Sequence, residues 1–137
     1  AALKRRFSTV EIMPSSLILE KLIEQTGHGI VGLPTLLDNI NDKIRVHRTR
    51  HNQIGHSYFM HDGNVIDNIK ELQFVFATDV IPLLQDYFYA DEDALKEVLN
   101  NQFIDWGDNE TGNLLTDWQD NEGKFKEAIK SAFDVIL

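Results

Sequence analysis

The stretch VIDNIKELQFVFATDVIPLLQDYFY, residues 65–89, decides the class of the fold. Ile66, Ile69, Leu72, Val75, Phe76, Val80, Leu83, Leu84, Tyr87 and Phe88 recur at three- and four-residue intervals. That spacing gathers apolar side chains on one face of an α-helix. Pro82 disturbs the pattern, because proline has no backbone N–H and its ring collides with the preceding turn. A kink or a break is therefore expected near Asp79.

Helical spacing extends to both sides. SSLILEKLIEQT, residues 15–26, opens with serine capping candidates, carries Leu17, Ile18, Leu22 and Ile23, and stops at Gly27. HGIVG then reads as a loop. Pro34 suits the first turn of a helix whose apolar stripe is Leu36, Leu37, Ile40, Ile44 and Val46, running to about Arg48. Asn52 and Gln53 interrupt the pattern before a short amphipathic segment at 55–60, and HDGN, residues 61–64, has turn chemistry. DEDALKEVLNN, residues 91–101, predicts a helix with acids at its N-terminal end, where the dipole favours them. Residues 103–123 are acidic and rich in turn formers, with Trp106 and Trp118, and a last amphipathic helix is expected from about Lys124 to Val135.

One segment is different. RFSTVEIMP, residues 6–14, alternates Ser8, Val10 and Ile12 against Phe7, Thr9 and Glu11 before Pro14, the only clear strand pattern in the sequence. A single strand leaves its backbone donors and acceptors without partners. The chain also opens on AALKRRF rather than methionine. Both features suggest a piece cut from a longer protein.

Composition limits the function classes. A chain of 137 residues with 42% hydrophobic and 26% charged residues has room for one globular core. No apolar run approaches the roughly 18–20 residues of a membrane span, and nothing resembles a signal peptide. The absence of cysteine excludes disulfides and thiol chemistry and fits a cytoplasmic location. The net charge of −9 is uneven: residues 1–51 hold eight Lys/Arg and five acids, whereas residues 52–137 hold five and seventeen. An acidic half of that size argues against nucleic acid as its main partner.

Three groups of residues are candidates for chemistry. His47, His51, His56 and His61 are spaced by four, five and five residues, which matches no compact metal site, and the HExxH pattern is absent. No metal site is assigned. Gly55-His56-Ser57-Tyr58 places a glycine ahead of a short helix, where backbone approaches a ligand easily and side-chain donors suit an anion. The same residues also suit a plain turn with a serine cap. Lys4-Arg5-Arg6 can hold phosphoryl oxygens or can simply be a solvated basic run. No Gly-rich phosphate loop and no serine–histidine–acid signature occurs.

Together these residues resemble a known family. AALKRRFSTVEIMP resembles the last core strand of AAA+ nucleotidases with the arginine-bearing turn before it. QIGHSYFM followed by TDVIPLLQDYFYAD resembles the C-terminal segment of the GTPase subunit of McrBC-type methylcytosine-specific restriction systems. The resemblance covers roughly residues 1–95 and implies a mainly α fold: a helical bundle, the AAA+ lid, preceded by one orphan edge strand of a missing α/β core. It divides the chain into residues 1–14 as that strand with its turn, 15–101 as the lid, and 102–137 as an acidic C-terminal extension.

The resemblance further implies that Arg5 and Arg6 reach a neighbouring subunit's nucleotide as arginine fingers, and that Gly55, His56 and Ser57 lie against bound nucleotide. The expected ligand is GTP or ATP with Mg2+ in the full-length protein, with none bound tightly to this piece. The expected partners are identical subunits in a ring, a nuclease subunit, and DNA through a domain upstream. The piece alone lacks the phosphate loop and magnesium ligands, so it is expected to hydrolyse nothing by itself. An acidic helical protein-interaction module without a nucleotide role is the competing reading, supported by the charge and aromatic residues of the second half.

Overall fold

The computed structural model describes residues 15–47, 53–100, 102–105, 113–114 and 116–137. The expected strand at 7–12, Arg5, Arg6 and His51 lie outside them. The described residues are mainly α-helical, the class that the sequence implies.

Helix α1, Ser15–Thr26, has the bounds that the serine pair and Gly27 predict. Its end is well satisfied: Gly27 adopts φ 74° and its N–H donates to the Ile23 carbonyl at 2.8 Å, while the Thr26 hydroxyl donates to the Leu22 carbonyl. Gly29 is a second position where only glycine fits. It has φ 127°, and a Cβ there would come within 2.8 Å of Ile23 Cγ1 and 3.1 Å of the Val65 side chain. That close approach lets the Ile30 N–H donate to the Ile66 carbonyl at 3.0 Å, tying the loop after α1 to the chain beyond residue 65.

Helix α2, Leu33–His47, buries Leu33, Leu36, Leu37, Ile40, Asn41 and Ile44. Val46, expected to join this stripe, is 76% exposed, because it follows Ile44 by two positions and so points away from the core. A 3-10 turn at His56–Phe59 leads into a hairpin of β1, Met60–His61, and β2, Asn64–Val65. Asp62 (φ 51°) and Gly63 (φ 83°) supply the two left-handed residues of a type I′ turn.

Residues 69–87 form one continuous helical path in three parts. Helix α3, Ile69–Val75, is capped by the Asn68 side chain, which accepts from the Glu71 N–H at 2.8 Å. A π-helical segment, Phe76–Val80, follows, and then helix α4, Ile81–Tyr87. The Ile81 N–H donates to the Phe76 carbonyl, five residues back. The interruption expected near Asp79 is thus a widened turn rather than a stop: Pro82 enters at the second position of α4, where its missing donor is accommodated.

Helix α5, Glu92–Leu99, is capped by Asp91 and carries Glu92 and Asp93 in its first turn. Beyond it, β3, Ile104–Asp105, pairs antiparallel with β4, Asn113–Leu114. A 3-10 turn, Asp117–Gln119, precedes helix α6, Glu122–Phe133, which begins and ends about a half-turn earlier than its apolar pattern suggests. Asn121 sets that start by accepting from the Lys124 N–H, and Asp134 (φ 58°) sets the end. Neither two-residue ladder is visible as a strand pattern, since each holds too few residues to alternate.

Phe76, the first residue of the π-helical segment, is the hub of the core. Its ring lies 6.2 Å from Phe59, 5.9 Å from Phe103 and 5.3 Å from Phe125. Trp118 packs edge-on to Phe103 at 5.2 Å and against Phe125 at 5.8 Å. Buried Gln73 donates to the Trp118 carbonyl at 2.8 Å, which ties α3 to the C-terminal third. The acidic C-terminal region therefore shares one core with the helices before it. No helix among the described residues is long and apolar enough to cross a membrane.

Candidate functional site

The Gly55–Ser57 turn is held from two sides. From α2, the Asn41 side chain clasps Ile54: its Oδ1 accepts the Ile54 N–H at 2.8 Å and its Nδ2 donates to the Ile54 carbonyl at 3.0 Å. Both residues are buried, Asn41 at 7% exposure. A buried amide that spends both ends on one backbone residue fixes position and direction together, and it is costly to break. From α4, the Tyr87 hydroxyl reaches the Gln53 carbonyl at 3.5 Å. Burial, followed by the influence of Tyr58 and Asp86, raises the Tyr87 pKa above that of an ordinary phenol, so its hydroxyl remains a donor through neutral pH. On the far side of the turn, buried Phe59 anchors the chain in the core, and its carbonyl accepts the Ile66 N–H at 3.0 Å.

Between these anchors Gly55, His56 and Tyr58 are partly buried and Ser57 is exposed. Gly55 is extended, with φ −96° and ψ 171°, and a Cβ there would meet nothing within 4 Å. Neither backbone strain nor crowding within the chain calls for glycine. Its missing side chain leaves open space in front of the turn instead. His56 is half-buried and Ser57 exposed, and no hydrogen bond joins either side chain to another described residue. The Tyr58 N–H returns to the Gly55 carbonyl at 3.4 Å, and the His56 and Ser57 N–H groups, at the start of the 3-10 turn, have no backbone partner among the described residues. A four-residue turn has little macrodipole. What it offers an acceptor-rich ligand is two backbone donors, an imidazole and a hydroxyl at one edge of the molecule.

The other histidines go elsewhere. His47 Nε2 lies 3.0 Å from Glu97 Oε1 on α5, with its ring edge-on to Phe88. His61, in the hairpin, has Nε2 3.2 Å from Asp62 and Nδ1 3.3 Å from Glu71. His28 is exposed beyond α1. Among the described residues no group of three His, Asp or Glu is placed to hold a metal ion. Lys43 lies 3.3 Å from the Glu97 carbonyl and over the Phe133 ring, with its pKa lowered by burial. It braces α2 against α5 and α6 and is remote in sequence from the turn. Arg5 and Arg6 fall outside the described residues, so their placement relative to the turn is not defined.

Asn41 is the residue that sequence reading overlooks. It sits between Ile40 and Ile44 in an otherwise polar-looking helix step, and only its burial and its two bonds to Ile54, thirteen residues away, give it a role.

No curated protein and no solved structure matches the chain significantly. A family model described as McrB, alpha-helical lid domain matches residues 32–96. The matched span runs from the start of α2 into α5, and it includes the Asn41 clasp, the Gly55–Ser57 turn and the π-interrupted helix. Residues 32–96 are thus similar to an McrB-type helical lid.

Proposed function

We propose that this chain supplies the lid of a ring-forming AAA+ nucleotidase subunit in a modification-dependent DNA restriction system. In this reading Gly55 leaves room for the nucleotide, and His56 and Ser57 donate hydrogen bonds to its oxygens. Asn41 and Tyr87 hold the turn so that movement of the lid moves those donors with it. Arg5 and Arg6 act on a neighbouring subunit's nucleotide, where an arginine finger is worth about 10³–10⁵ in rate. GTP or ATP with Mg2+ is bound mainly by the nucleotidase core, and DNA and a nuclease subunit are engaged by other parts of the assembly. The protein is expected in the cytoplasm, and the isolated chain is expected to hydrolyse no nucleotide.

The observation that carries this reading is the turn itself: within the span matched by the lid model, Asn41 and Tyr87 hold a segment in which a partly buried histidine and an exposed serine follow a glycine with open space before it. Its test is turnover of GTP and of ATP by the protein carrying the nucleotidase core, with His56→Ala and Ser57→Ala introduced separately and together. A fall of about ten-fold or more in kcat/KM for the double variant, with unchanged melting, is expected, since each lost hydrogen bond to a charged group removes about 1.5–3 kcal/mol. Unchanged turnover removes the turn from the nucleotide site and favours the acidic interaction module.

A further inference from the structure

Phe74 lies in the last turn of α3, between buried Gln73 and half-buried Val75, yet it is 66% exposed. Its ring forms a wall between two grooves. One groove, of about 530 Å³, runs past Tyr58, Met60 and Val75 and carries the carboxylates of Glu71 and Asp79. The other, of about 340 Å³, runs past Ala77 and carries those of Asp120 and Glu122. Among the described residues Lys70 is the only Lys or Arg lining either groove, and His61 already faces two carboxylates. An exposed aromatic ridge with acids on both flanks is unsuited to nucleic acid. It suits a side chain that is apolar along its stem and cationic at its tip.

We propose that this ridge docks a cationic protein segment, arginine-bearing and presented on a helix. Arginine fits both halves of the surface: its methylenes and guanidinium plane lie on the Phe74 ring, and its fork reaches Asp79 on one flank or Asp120 on the other. Successive helical turns of the partner then supply an apolar residue to the Tyr58–Met60–Val75 floor. Tyr89, 84% exposed two residues beyond α4, shares its groove with one acid, Glu92, among the described residues, against acids on both flanks of Phe74. It therefore serves as a control position. Ser57 of the turn also lines the first groove, so the ridge adjoins the proposed nucleotide contact; the test contains no nucleotide and reads the ridge by itself.

The test is titration of the isotope-labelled chain with a synthetic sixteen-residue helical peptide that carries arginine at every fourth position beside a leucine face, followed by amide NMR shifts. A counterpart with each arginine replaced by glutamate is titrated in parallel. Saturable shifts at residues 57–61, 70–79 and 119–122 are expected with the arginine peptide and none with the glutamate peptide. Binding should weaken at least ten-fold in Phe74→Ala and in the Asp79→Asn, Asp120→Asn double variant, and should be unchanged in Tyr89→Ala. Phe74 is largely exposed, so its variant is expected to keep the dispersed spectrum of the folded chain. The proposal is overturned by absence of saturation or by equal weakening in Tyr89→Ala. It is also overturned if the same shifts appear when the chain alone is concentrated, because a second copy would then cover the ridge.

Discussion

Asn41 and Gly55 make opposite contributions to the same turn. The first is needed by the fold and the second is not. Replacing Asn41 by alanine strands the Ile54 N–H and carbonyl in a buried setting, a cost of about 1–3 kcal/mol for each group left unsatisfied. Asn41→Ala is therefore expected to lower the denaturant midpoint markedly, whereas Gly55→Ala should leave it unchanged or raise stability by about 0.4–1 kcal/mol. Chemical denaturation checks both. If Gly55→Ala nevertheless lowers nucleotide turnover in the core-bearing protein, the open space before the turn is used by a ligand. Gly55, His56 and Ser57 stand out in the sequence as a glycine ahead of a short helix, and it is the family resemblance that gives them an expected role. Asn41 could not, since a polar residue in a helix normally faces water, and its partner is remote along the chain.

At the scale of elements, the helix spanning residues 69–87 shows how a local signal can be right about place and incomplete about form. Pro82 does mark an interruption, but helical backbone continues through the π-helical turn at Phe76–Val80 because Phe76 must stay in contact with Phe59, Phe103 and Phe125. Tertiary packing chooses the form that proline only permits. Phe76→Ala is expected to cost about 3–5 kcal/mol, as for other buried phenylalanines, and thermal melting of the chain measures it. The Tyr87 tether gives a pH-dependent counterpart. Its folded pKa is raised above that of the unfolded phenol, so its contribution is complete below about pH 10 and is lost as pH rises further. Melting of wild type and Tyr87→Phe should accordingly differ at pH 7 and converge above that range. The helices were legible because each carries an apolar stripe, and α3, α5 and α6 a side-chain cap as well. The hairpins were not, because two-residue ladders depend on Asp62, Gly63 and contacts across the fold rather than on alternation.

For the whole molecule, the sequence suggests a lid followed by an acidic extension, whereas Trp118, Phe125, Ile129 and Phe133 complete the same core as Leu36 and Phe76. Residues 102–137 carry eight acids against three lysines, and the apolar residues ahead of the last helix are interrupted by acids and turn formers without a helical or alternating period, so they do not announce a core. Removing residues 102–137 is expected to uncover Phe76 and Gln73 and to abolish cooperative unfolding, which calorimetry of the shortened chain detects. The central claim concerns assembly: residues of this chain act on a nucleotide held by a neighbour. It is tested most directly by joining the chain to an AAA+ nucleotidase core of the kind the proposed function requires and titrating Arg6→Ala subunits into wild type while GTP and ATP turnover are followed. The account predicts that activity falls more steeply than the fraction of wild-type subunits, because each altered subunit impairs its neighbour. Turnover in simple proportion to the wild-type fraction would contradict it.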